Sequence, residues 1–191
     1  MAQPTVRKKW GEVKARLEAV DRKGLVSLIA DLYDANPANR RFLHSRLRPA
    51  SDDIDEYRRL VIEAISPDPF STRRVSIRDA GAAIAAYQRA TSDVCGTVDL
   101  LLTFVEAGTD YAADLGYGDE AFFSALSRRL NEVVKAFESL PPDARASTRT
   151  RLGVVQQRAR QVGWGFEDDV DSAGRVLDAP ALQGKRGKGG R

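Results

Sequence analysis

The spacing of apolar residues limits this chain most: it is helical nearly everywhere, with no convincing alternation of period two. Val6, Trp10, Val13, Leu17 and Val20 fall on one stripe of a first helix. Asp21 reads as the N-cap of a second, carrying Leu25, Leu28, Ile29, Leu32 and Tyr33. Asn36-Pro37 opens a short third helix with Phe42, Leu43 and Leu47, and Pro49 stops it. Ser51-Asp52-Asp53 starts a fourth, with Ile54, Tyr57, Val61 and Ile65 facing inward. The pattern breaks at Ser66-Pro67-Asp68-Pro69-Phe70-Ser71, because neither proline has an N–H to give a helix or sheet.

Beyond that break, Ser76 with Asp79 resembles a capping box, and Ile77, Ile84 and Tyr87 mark a fifth helix. A sixth runs from about Asp93 through Leu101, Leu102, Val105, Ala112 and Leu115, and Gly116 and Gly118 end it. Asp119 caps a seventh, from Phe122 and Phe123 to Phe137. Pro141-Pro142-Asp143 opens an eighth, through Leu152, Val155, Ala159 and Val162. The predicted fold is therefore all-α, a compact array of about eight helices in a bundle or stacked hairpins. Residues 1–171 read as a single domain, and 172–191 as a flexible Gly/Lys/Arg-rich tail.

Several classes fall away on composition. No apolar run approaches the roughly 18 residues a membrane helix needs. Arg7-Lys8-Lys9 is followed by Glu12, Lys14, Arg16 and Glu18, where a signal peptide would need an apolar block. Cys95 is the single cysteine, so no internal disulfide forms and a cytoplasmic location is expected. The net charge is only +3, but it is unevenly spread: +6 over residues 1–50, −8 over 51–120 and +5 over 121–166. Such a basic–acidic–basic chain can satisfy its own charges by folding its segments together.

Catalytic equipment is sparse. His44 lies between Arg41 and Arg48 and reads as a surface or helix-end residue; Cys95 reads as a small buried hydrophobe. Gly116-Tyr117-Gly118 lacks the preceding strand and third glycine of a dinucleotide-binding loop. The acids Asp99, Glu106, Asp110, Asp114, Asp119 and Glu120 form the one cluster that suits metal or acid–base work. Glu106 falls beside the Leu102–Val105 face, where an arginine from another helix is the simpler partner. No catalytic residue, metal or cofactor is assigned. The cations Arg7, Lys8, Lys9, Arg149, Arg151, Arg158, Arg160, Lys185, Arg186 and Lys188 are the candidate nucleic-acid contacts.

Two short motifs remain. One is Asp99-Leu100-Leu101-Leu102 with Val105-Glu106-Ala107-Gly108, followed by Gly116 and Phe122-Phe123. The other is Val162-Gly163-Trp164-Gly165-Phe166-Glu167-Asp168. Together with the leucine-rich Leu25–Tyr33 helix they resemble a bacterial family known as domain of unknown function 6155. Here Glu167 stands where that family has histidine, and Tyr117-Gly118 interrupts its Gly-Asp. The resemblance implies a helical fold and transfers no activity. Glu106, Gly108, Gly163, Trp164, Gly165, Phe166 and Asp168 are thus the candidate structural or interaction residues. Gly163 is expected to end the eighth helix in the left-handed conformation, letting Trp164 and Phe166 tuck inward as a lock. The alternative is an exposed aromatic platform beside Asp168 and Asp169. On these grounds the expected function is a non-enzymatic helical domain acting through protein–protein contact or self-association. The runner-up is a nucleic-acid-associated protein using the basic first and eighth helices and the tail.

Overall fold

The computed structural model describes residues 6–47 and 54–179, with side chains from residue 10 onward. Nine helices and no strand occur among the described residues. Contacts divide the chain into two compact units, Met1–Pro49 and Ala50–Arg191. The sequence pattern instead suggests one domain over 1–171, with its single clear break at 66–71.

The first unit holds α1 (Val6–Leu17), α2 (Arg22–Ala35) and α3 (Pro37–Leu47). Asp21 caps α2 as predicted, accepting from the Gly24 N–H at 2.8 Å. Asn36 turns the chain into α3 by accepting from the Ala38 N–H at 2.7 Å. Arg40 then donates to the carbonyl of Tyr33, tying α3 back to the end of α2. The apolar stripes of this unit do not close over a core. No residue of α2 is buried, and Trp10, Val13, Phe42 and Leu47 are exposed.

The second unit is built round α6 (Val94–Leu115), which α4 (Ile54–Ile65), α5 (Ile77–Ala90), α7 (Glu120–Phe137) and α8 (Pro142–Ala159) surround. Every residue from Leu100 to Val105 is buried, so the middle of α6 is covered on all sides. Its sequence Leu-Leu-Leu-Thr-Phe-Val fits that position, since a helix apolar all round must lie inside. Thr103 and Thr109 are tolerated there because each hydroxyl donates to the carbonyl four residues back, Asp99 and Val105 respectively. The proline segment after α4 is a loop joining two helices that pack together, and is not a domain boundary.

Gly108 allows α6 and α7 to approach closely, as a Cβ there would lie 2.5 Å from Leu126 Cδ2. Gly116 takes the left-handed conformation that ends α6, and Asp119 caps α7 by accepting from the Phe122 N–H. The expected tail boundary is corrected by a ninth helix, α9 (Phe166–Asp178). Its Phe166, Val170, Ala173 and Leu177 step by 4, 3 and 4 and are all buried. It packs on α7 and α8, with Gly174 lying directly against Gln156 of α8.

Candidate functional site

The acidic stripe of α6 and the basic stripe of α8 meet. Arg151 spans three residues of α6: Nε and NH2 hold Glu106 at 2.7 and 2.5 Å, NH1 reaches Asp99 at 2.6 Å, and NH2 also reaches Thr103. Arg58 of α4 donates to the other oxygen of Asp99 at 2.8 Å. Two turns along α8, Arg158 pairs with Asp110 at 2.9 Å and with Asp114. Burial alone would lower the affinity of Arg151 for its proton. The hydrogen bond and charge of Glu106, with Asp99, instead hold its pKa above the ordinary value. The carboxylates that most resembled an acid–base pair are thus bound by guanidinium groups. Among the described residues no group of three or more His, Cys, Asp or Glu could hold a metal ion.

This arrangement also answers for the cations of α8. Arg149 donates to the Leu177 carbonyl, lies over the Phe137 ring and pairs with Asp178; Arg160 faces Glu167. Arg149, Arg151, Arg158 and Arg160 therefore each have an acidic partner within the protein, Arg160 at 3.8 Å with its side chain 67% exposed. The side chains of Arg7, Lys8 and Lys9, and Lys185, Arg186 and Lys188, lie outside the described residues. His44 is half-buried, with Nε2 3.0 Å from the Tyr33 hydroxyl. Cys95 corrects the expectation of burial: it is exposed in the first turn of α6, beside a hollow of about 280 Å³ shared with Asp93 and Arg151.

The Gly163–Asp168 segment divides the predicted lock in two. Phe166 is buried and packs its ring 5.8 Å from that of Phe123. Trp164 is 65% exposed, which overturns the expectation that both aromatics tuck inward. Gly163 does not take the left-handed turn; Trp164 (φ 65°) and Gly165 (φ 71°) do. A bulky residue rarely adopts that conformation, because its Cβ crowds the backbone, at a cost of order 1–3 kcal/mol. Here it sets the indole outward, with one face stacked over Phe123 at 6.4 Å and an interplanar angle of 23°.

Beside the indole runs a cleft of about 460 Å³ along the outer surface of α7. Glu120, Ser124, Ser127 and Asn131 form its floor, since they follow one another on the polar stripe of that helix. Trp164 and Asp169 stand on one rim, and Asp169 accepts from the Ser127 hydroxyl. Arg128 and Lys135 stand on the other and have no ion-pair partner among the described residues. Glu132 also lines the cleft but is neutralised by Arg129, whose NH1 donates to both of its oxygens. Asp168 is exposed and likewise unpaired among the described residues. Sequence reasoning missed Arg128 and Lys135, because a polar helix stripe is the normal solvent face of any helix.

A second opening lies in the first unit. Val26, Ile29, Ala30, Tyr33, Leu43 and Leu47 line an apolar groove of about 410 Å³ between α2 and α3. No protein-family model, no curated protein and no solved structure matches the chain.

Proposed function

We propose that this protein is a non-enzymatic helical interaction domain, working through protein–protein contact or self-association. One observation carries the reading. In α2, Val26, Leu28, Ile29 and Leu32 are each between 42% and 59% exposed, and no residue of that helix is buried. A 14-residue helix is marginal in water by propensity alone, and helices gain most of their stability by packing an apolar face. The spacing 25, 28, 29, 32 is that of a helix made to lie against another apolar surface. Contiguous exposed apolar surface of this kind marks protein contacts. The groove between α2 and α3 fits the ridge of a partner helix.

Sedimentation equilibrium over a range of concentrations, paired with capture of partners on the immobilised full chain, tests the proposal. Ile29→Glu places a charge in the groove without touching the second unit's core. The expected result is a dimer, or a captured protein, that the wild type forms and Ile29→Glu does not. A wild type monomeric throughout, whose captured proteins the variant retains unchanged, would overturn the reading.

A further inference from the structure

The Trp164 cleft has a chemistry separate from the apolar groove, and its two rims differ in sign. On one rim the indole of Trp164, 65% exposed, lines the cleft together with the carboxylate of Asp169, with Asp168 next along the chain. An aromatic face attracts a cation through its quadrupole, and a neighbouring carboxylate adds a second attraction. On the other rim Arg128 and Lys135 lie seven residues apart on one face of α7, about 10 Å along the helix axis. Neither cation has an ion-pair partner among the described residues. Between them lie short polar side chains and the exposed carboxylate of Glu120, which adds to the negative charge of the cleft.

We propose that this cleft is a binding site for a mixed-charge segment of a protein partner. A lysine or arginine of that segment sits against the exposed indole of Trp164 with Asp169, and a carboxylate of the same segment meets Arg128 and Lys135. The inference rests on the interaction reading above but concerns a different surface. The acidic rim disfavours a nucleic-acid strand, whose phosphates would meet Asp168 and Asp169. The basic rim disfavours a purely cationic chain. Opposite signs on opposite rims also fix the direction in which a segment lies, since reversal sets like charges together. The strained backbone at Trp164 supports a binding role: a buried core contact would not require the indole to be held outward in this way.

The test is fluorescence anisotropy of a labelled peptide, fluorescein-Gly-Arg-Gly-Gly-Glu-Gly-amide, titrated with the full chain at moderate salt. Its arginine and glutamate are three residues apart, about 10 Å when extended. Saturable binding is expected. It should weaken at least fivefold for Trp164→Ala, for Asp169→Asn and for the doubly substituted Arg128→Ser, Lys135→Ser protein. Replacing the peptide's arginine by glutamine should have the same effect. These residues are at the surface, and circular dichroism should confirm that each variant keeps its helical signal. Ile29→Glu should leave peptide affinity unchanged, so failure here and failure of the α2–α3 reading are distinguishable. No saturable binding, or equal binding by the glutamine peptide, would overturn the proposal. So would tighter binding of a single-stranded oligonucleotide that Trp164→Ala abolishes, because the cleft would then be a base-stacking site.

Discussion

Replacing Arg151 by Met removes the cation that joins α8 to two carboxylates of α6 while keeping much of its apolar stem. The side chains of Arg151, Asp99 and Glu106 are 26–27% exposed, so the cluster is about three-quarters buried. Breaking a fully buried pair costs about 3–5 kcal/mol, because a charge is left without compensation. An exposed pair contributes about 1 kcal/mol or less. Between those limits, with Arg58 still neutralising part of Asp99, the loss should be about 2–3 kcal/mol. At roughly 2–4 °C per kcal/mol for a domain of this size, the melting temperature should fall by about 4–12 °C. Differential scanning calorimetry at pH 7 and 0.15 M salt reads this directly. Adding Glu106→Gln to Arg151→Met should recover part of the loss, since the stranded charge is then gone. A drop of less than about 1 °C would refute the reasoning, as would a deficit that vanishes in 1 M NaCl. Either result would mean that the cluster behaves as a screened surface pair.

Other consequences follow from the same packing. Phe166→Ala should cost about 3–5 kcal/mol in urea unfolding, the usual loss for a buried phenylalanine, whereas Trp164→Ala should lose less than about 1 kcal/mol. In a Trp10→Phe background the remaining indole should be readily quenched by iodide. Gly118→Ala should destabilise the second unit by about 1–3 kcal/mol, because φ is 131° and the new Cβ would lie 2.7 Å from the Phe123 ring. Tyr87 is fully buried and donates to Asp93 at 2.7 Å; burial first, then that hydrogen bond, raises its pKa above the usual tyrosine range. Its raised folded-state pKa means the unfolded chain loses the proton more readily. Stability should therefore decline as pH rises past about 10, the ordinary tyrosine value. Denaturant melts at pH 8 and pH 11 compare the two, and Tyr87→Phe should flatten that slope.

Much of this architecture is legible in the residues. The steps of 3 and 4 between apolar positions mark most of the helices from α1 to α8, and the caps Asp21, Ser76 and Asp119 form the hydrogen bonds their spacing implies. The α6–α8 ion pairs follow from the alternation of net charge, because an acidic and a basic stripe on neighbouring helices satisfy one another. The ninth helix is harder to read: Glu167, Asp168, Asp169 and Asp171 crowd its first turns, and two of its inward positions are only Ala173 and Gly174. Those small residues suit close packing on α8 but weaken an apolar pattern. The fate of α2 is invisible for a different reason. A helical stripe shows that a face is apolar, and says nothing of whether anything in the chain covers it. Trp164 escapes for a third reason, since its outward setting comes from two consecutive left-handed residues, and only Gly165 of the two advertises that conformation.

Hydrogen–deuterium exchange of residues 25–35 asks most directly whether the α2–α3 face is an open docking surface. The amides of a helix with no buried residue open by local unfolding, with a free energy far below that of a core helix. In dilute, monomeric protein α2 should exchange at least a hundredfold faster than Leu100–Val105 of α6. Raising the protein concentration, or adding a partner captured through this face, should slow α2 while leaving α6 unchanged. Protection of α2 equal to that of α6 in the dilute monomer would contradict the account, because the face would then already be buried within the chain.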